Sequence, residues 1–323
     1  MDVLAGDGFV TTAAGLRPEL LAHCYRMLGA VDEAEDVVQE TMLRAWRARD
    51  RYDATRATPR TWLYAIATNA CLTALEGRRR RPLPTGLGPA SEDADAPLTP
   101  RMDVPWLQPL PDARLTDTDD PQMVVQRRSS LRLALVAALQ LLPPRQRAVL
   151  ILRDVLRFSA AEVAGQLGTS VAGVNSALQR ARAGLADTGL RDDGVREADD
   201  PEVRATVDRY VRAFEAADVP ALVDLLTDTA VLEMPPVPLW YSGREAYGRF
   251  MSRVFALRGR DWRVLPTAAN GQPTLAAYCR QDGPGYRLHT VQVLTIAPAG
   301  VAHNVVFQDP AVLRAFALPA TVG

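Results

Sequence analysis

The stretch 158–185, FSAAEVAGQLGTSVAGVNSALQRARAGL, constrains this chain most, because it spells two short helices joined by a tight turn. Ser159 followed by Glu162 is the pattern of a capping box: the hydroxyl accepts from the third helical N–H while the carboxylate reaches back to the cap. Val163 and Leu167 fall one turn apart on one face, and small Ala164 permits close approach of a second helix. Gly168 suits the left-handed position that ends a helix, and Ser170 suits the cap of the next. That second helix is expected to turn Val171, Val174, Leu178 and Leu185 inward. Asn175, Ser176, Gln179, Arg180 and Arg182 remain outside, and these side-chain types bond phosphates and base edges. The stretch reads as a helix-turn-helix presenting an Arg-bearing helix to DNA; an ordinary helical hairpin is the other reading.

The chain has 323 residues, and single cores stop growing near about 250–300 residues, so two or three domains are expected. Its net charge is -1, so any nucleic-acid contact must come from a local basic surface. All 37 basic residues are Arg, a pattern that points to genomic base composition more than to function. Cys24, Cys71 and Cys279 form no CxxC pair and read as small buried hydrophobes in a reducing cytoplasm. His23, His289 and His303 lack ligand spacing, so no metal and no cofactor is expected. There is no basic-then-apolar start and no apolar run approaching about 20 residues, which points to a soluble cytoplasmic chain with no membrane partner.

Residues 16–81 read as helices. Thr58 with Pro59 marks a start, Trp62, Ile66, Ala70 and Thr73 follow roughly a turn apart, and Arg78, Arg79, Arg80 and Arg81 are expected to close the same helix. Residues 82–121 are rich in Pro, Asp and Gly without a period and read as a linker. Within it lies an apolar island, VPWLQPLPD at 104–112, whose Trp106, Leu107 and Leu110 call for a packing partner, local or functional. Residues 124–190 are a second helical zone, broken at Pro143 and Pro144. From 203 onward two amphipathic helices precede the strand-like segments AVLEMPPV, DWRVLPTAA, TLAAYCRQ, YRLHTVQVLTI and VAHNVVFQD, with helices at 243–257 and 311–316. That order predicts an α+β domain with a mostly antiparallel meander.

DEAEDVVQETMLRAW (32–46), TPRTWLYAIATNACLTALEGRRRR (58–81) and LLPPRQRAVLILRDVLRFSAAEVAGQLGTSVAGVNSALQRARAGL (141–185), in that order, resemble the sigma-70 superfamily of RNA polymerase initiation factors, specifically the extracytoplasmic-function type. The tail resembles a SnoaL-like cone domain, and WLQPLPD is similar to a linker motif of sigma factors with such an extension. The resemblance implies two all-α domains, σ2 at 10–81 and a helix-turn-helix σ4 at 122–192, a linker at 82–121 and an α+β cone domain at 199–323. It implies a non-enzymatic factor that binds core RNA polymerase, at its β′ coiled coil and β flap, and promoter DNA at the −10 and −35 elements, with a fused regulatory tail.

Residue by residue, the resemblance assigns polymerase docking to the 32–46 helix, with Asp32, Asp36, Gln39 and Glu40 facing solvent and Val37, Leu43 and Trp46 facing the core. Capture of the −10 strand falls to Trp62, Asn69 and Arg78, Arg79, Arg80 and Arg81, right in type for stacking and backbone charge; Trp62 has a core role as its other reading. Reading of −35 falls to Ser170, Asn175, Ser176, Gln179 and Arg180, with Arg182 on phosphate and Arg145, Arg147, Arg153 and Arg157 as further backbone contacts. Trp106, Leu107 and Leu110 are expected to dock the linker.

Two alternatives remain open. A stand-alone helix-turn-helix regulator would need no acidic helix at 32–40. Cone domains also include isomerases and cyclases that use a pocket carboxylate or His as acid or base. Glu233, His289, His303 and Asp309, with Trp240, Tyr241, Tyr278 and Phe307 as walls, are the pocket candidates for such an enzyme, or for a sensor of a small-molecule ligand, behind a DNA-binding leader.

Overall fold

The computed structural model describes residues 7–115, 129–188, 196, 198–280 and 285–323. The end of the expected linker and the start of the second helical zone (116–128), and the expected end of σ4 (189–192), lie outside the described residues. The chain divides into two compact units: Met1–Arg81 with Arg114–Leu190, and Pro82–Ala113 with Arg191–Gly323.

The first unit is helical: α1 (Asp7–Leu28), α2 (Val31–Ala48), α3 (Pro59–Ala74), α4 (Leu133–Leu139), α5 (Pro144–Leu150), α6 (Ala160–Leu167) and α7 (Val171–Ala186). Leu20, Leu21, Cys24, Val38, Leu63, Tyr64 and Cys71 build the core of its N-terminal half. The hydroxyl of Thr58 caps α3 by accepting from the Thr61 N–H at 3.1 Å, with Pro59 at the first helical position. α3 ends at Ala74, so the four arginines follow the helix, beyond Gly77 at φ +69°, instead of closing it. In the C-terminal half the capping box forms as read: Glu162 N–H donates to Ser159 Oγ at 3.2 Å and Ser159 N–H donates to Glu162 Oε2 at 2.7 Å. Gly168 adopts φ +58° and ends α6, and Ser170 caps α7 by accepting from Gly173 N–H at 3.0 Å.

Arg147 is buried between the halves of this unit. Its guanidinium donates to Gln140 Oε1 at 2.7 Å, to the carbonyls of Gln140 and Leu142 at 3.1 Å, and to the Met27 carbonyl. It therefore ties α1 to the α4–α5 turn and is not placed for the phosphate contact expected of it. Arg26 adds a second tie, donating to Ser130 Oγ at 2.6 Å.

The second unit is α+β: α8 (Pro201–Glu215), α9 (Val219–Asp224), β1 (Leu226–Met234), β2 (Val237–Ser242), α10 (Arg244–Arg258), β3 (Trp262–Ala269), β4 (Gln272–Arg280), β5 (Tyr286–Ala297), β6 (Gly300–Phe307), α11 (Pro310–Ala315) and β7 (Thr321–Val322). The sheet order is β2-β1-β6-β5-β4-β3, with β7 on β5. Strands β3 to β6 form the expected antiparallel meander, while β1 joins β6 in parallel and makes the sheet mixed. One face is covered by α8, α9 and α10 through Tyr210, Phe214, Leu222, Phe250, Met251 and Phe255. The chain turns from β3 to β4 through Asn270 (φ +59°) and Gly271 (φ +66°), two left-handed residues whose twist matches a two-residue hairpin.

Candidate functional site

The buried face of α2 is Val31, Ala34, Val38, Thr41 and Ala45, a spacing of three and four residues that defines one helical side. Leu43 and Trp46, expected in the core, fall on the other side and are 51% and 42% exposed. Small residues and Thr41 occupy the seam with α1 and α3, so the bulky pair is turned out. Val37 is half-buried. The outward face combines Asp32, Asp36 and Gln39 with Leu43 and Trp46; Glu40 is half-buried and pairs with Arg44 at 2.6 Å. The Arg49 guanidinium lies over the Trp46 ring, 4.0 Å from its centroid.

On α3, Trp62 is half-buried and packs on Tyr52 with ring centroids 5.1 Å apart. Asn69 is exposed, but its amide donates to the Ala65 carbonyl at 2.8 Å and to the Gln166 carbonyl of α6 at 3.2 Å. Arg78 and Arg81 both bridge to Glu33, Arg81 at 2.8 Å, and Arg79 and Arg80 are exposed.

On α7, Asn175, Ser176, Gln179 and Arg180 are all exposed, one helical strip opposite buried Val174, Leu178 and Ala181. Val171, expected inside, is 45% exposed; Leu185 is half-buried. Ser170 already engages its hydroxyl in the cap. Arg182 is exposed and held bidentately by Asp154 at 2.8 and 2.7 Å. Arg153 donates to the Phe158 carbonyl, which turns it back onto its own loop, whereas Arg145 and Arg157 are exposed.

Residues 82–113 are strapped across the cone. Leu107 and Leu110 are fully buried, and Trp106 nearly so, with its indole N–H donating to the Arg101 carbonyl at 2.8 Å. The β3–β4 turn grips the island: Leu110 N–H donates to Asn270 Oδ1 at 2.8 Å and Asn270 N–H donates to the Leu110 carbonyl at 2.9 Å. Gly271 N–H donates to Asp112 Oδ1 at 3.0 Å. Asn270 and Asp112 were missed in the sequence reading; the Asn-Gly pair was the available signal.

The pocket candidates of the tail do not share one site: His303 pairs with Glu233, apart from the cavity that His289 lines. Glu233 is fully buried and accepts from His303 Nε2 at 2.7 Å and from the Thr85 N–H of the strap at 2.8 Å. Trp240 donates to the Gly88 carbonyl at 2.9 Å, and the Tyr241 hydroxyl donates to the Asp93 carbonyl at 3.3 Å while its ring stacks on Phe250. These three hold the strap. Of these candidates, His289 and Asp309 line one cavity. Leu232 and Met234 line that cavity, and strand alternation sends Glu233, between them, to the other face. Asp309 accepts from Ala311 N–H at 2.8 Å and so caps α11. Among the described residues no cluster of His, Cys, Asp or Glu is placed to hold a metal, and no helix is long and apolar enough to cross a membrane.

Residues 14–81 match Sigma-70 region 2, residues 132–185 match Sigma-70, region 4, and residues 207–310 match a SnoaL-like domain. That succession defines a sigma-70-type transcription initiation factor, not an enzyme, with a fused SnoaL-like domain. The ECF RNA polymerase sigma factor SigG of Mycobacterium tuberculosis is 50% identical over 305 residues, covering 94% of this chain and 82% of that protein. SigJ of the same organism is 31% identical over 254 residues, covering 78% of this chain and 70% of that protein. The crystal structure of SigJ shares the fold, with a TM-score of 0.65 at 24% identity over 96% of this chain and 100% of that one. The chain belongs to the extracytoplasmic-function RNA polymerase sigma factors.

Proposed function

We propose that this sigma factor acts in the cytoplasm, docking on core RNA polymerase through the outward face of α2. In this reading it contacts the −10 element through α3 and the arginines that follow, and the −35 element through α7. The SnoaL-like domain modulates its output by holding the segment that joins the two DNA-binding regions. Exposed Leu43 and Trp46 beside Asp36 and Gln39 support the docking face, since apolar side chains grouped on a surface mark contact sites. The observation that carries the modulation is the strap: Leu107 and Leu110 are buried in the cone unit, and the Asn270 turn holds Leu110 from both sides of its peptide. A linker so anchored is not a free coil, so its reach depends on the cone.

The test is run-off transcription with core polymerase from a promoter-fragment library. It compares the full chain with a Leu107→Ala/Leu110→Ala strap variant and with a chain lacking 199–323. Initiation that requires core polymerase, with altered output in both variants, is expected. Identical output from all three would sink the modulation, and no initiation by any of them would sink the promoter assignments. An enzyme reading of the cone finds little support, because Glu233 is tied to His303 and the strap, and Asp309 is tied to its helix cap.

A further inference from the structure

Of the four arginines that follow α3, two converge on one carboxylate. Gly77, at φ +69°, turns the chain, and Arg78 N–H donates to the Leu75 carbonyl at 3.3 Å, so the run leaves the path of the helix. Beyond that turn Arg78 Nη1 donates to Glu33 Oε1 at 2.5 Å, and Arg81 Nη2 stands 2.8 Å from the same oxygen. The Glu33 and Arg81 side chains are 31% and 14% exposed, so water and salt screen the contact only in part.

Two guanidiniums around one anionic oxygen is an arrangement suited to a phosphate oxygen. Glu33 fills it from the first turn of α2. The backbone N–H groups of that turn have no helical acceptor, and Ala30, at the N-cap, has no side chain to cap them. A carboxylate there is stabilised by the helix end itself. Glu33 therefore keeps a favourable setting when the arginines leave it, and exchange for another anion breaks only part-exposed ion pairs. The docking face is not involved: Asp32 and Asp36 are exposed one turn apart, while Glu33 is half-buried beside them.

We propose, resting on the assignment of these arginines to the −10 strand, that Glu33 is a built-in competitor of the promoter backbone. It holds Arg78 and Arg81 in the unbound chain, and a phosphate of the −10 strand displaces it. The contact it opposes carries no base information, so it weakens binding to every sequence alike. Weak sites then lose occupancy before strong ones do.

The test titrates preformed holoenzyme on a fluorescent promoter duplex recovered from the run-off library, which keeps core affinity out of the measurement. Glu33→Gln preserves the shape of the side chain and removes its charge. It is expected to tighten binding at least about twofold, since a part-exposed ion pair is worth up to about fivefold. Arg78→Gln/Arg81→Gln is expected to weaken binding, and Glu33→Gln added to that pair is expected to change nothing further.

Undiminished binding by Arg78→Gln/Arg81→Gln would overturn the −10 assignment of the arginines and the proposal with it. Weakened binding there, with Glu33→Gln less than twofold tighter than the parent, would overturn the proposal alone; outright weakening by Glu33→Gln would mean that Glu33 presents the arginines to DNA. Equal tightening with and without the arginines would also overturn it, because repulsion between DNA and an acidic residue would then be sufficient.

Discussion

Asn270→Gly removes the side-chain part of the grip on the strap. Asn270 sits at φ +59° and is fully buried. Glycine accepts that conformation, so the hairpin turn survives, and so does the backbone bond from the residue-270 N–H to the Leu110 carbonyl. What disappears is the side chain, and with it Oδ1, the acceptor 2.8 Å from the Leu110 N–H. Leu110 is fully buried, so water cannot replace it. An orphaned buried donor costs about 1–3 kcal/mol. If the strap opens locally, that cost appears as amide exchange in residues 104–112 faster by about 5- to 150-fold. Exchange followed by mass spectrometry on the full chain measures it directly. Exchange within twofold of the parent would refute the reasoning, leaving the apolar burial of Leu107 and Leu110 to hold the strap alone.

Trp46→Ala is expected to weaken core polymerase binding at least about tenfold, as for an aromatic anchor, while leaving the urea midpoint unchanged because the residue is 42% exposed; a binding titration and an unfolding curve check both. Arg180→Ala is expected to lower the slope of log K against log salt for holoenzyme on promoter DNA by about 0.9, one phosphate contact. His23 gives a pH dependence. Burial first, then Arg26 and Arg60, push its pKa down to about 3, so the fold keeps it neutral while the unfolded chain takes up a proton below about 6.5. Its contribution is fully present above that pH and is lost as pH falls toward 3, by about 2 kcal/mol between pH 6.5 and 5. Urea unfolding at pH 7 and pH 5 is expected to show a smaller difference for His23→Gln than for the parent.

Features that need only four or five neighbouring residues were legible in the sequence. The Ser159–Glu162 box, the left-handed Gly168, and the Thr58–Pro59 start are set by local donors and acceptors, and each stands where the pattern put it. Features set by distant partners were not. Leu43 and Trp46 looked like core because they are large, yet Ala34, Thr41 and Ala45 fit the close seam. Arg147 looked like a phosphate ligand, and its carbonyl partners lie on Met27, Gln140 and Leu142. Glu233 and His289 looked like members of one pocket; only strand register separates them onto two faces. The Arg run looked like a helix end because nothing before Gly77 signals that α3 stops at Ala74.

Two apolar pairs with opposite fates connect these readings. Leu107 and Leu110 sit in a segment rich in proline, the kind that usually stays solvated, and both are fully buried. Leu43 and Trp46 sit on an amphipathic helix, the kind that usually hides them, and both are exposed. In each case the surrounding polar groups explain the outcome. The strap's backbone finds acceptors in the side chains of Asn270 and Glu233 and a donor in the Asn270 N–H, so its leucines can leave water without orphaning peptide groups. Around Leu43 and Trp46 the neighbouring positions on the same face are Asp36 and Gln39, whose side chains keep water close and hold that face at the surface. An apolar pair held out of its own core by its polar neighbours is suited to a partner that brings both apolar surface and polar groups that complement Asp36 and Gln39. A pair sealed in by a turn, by contrast, makes the segment that carries it a part of the cone.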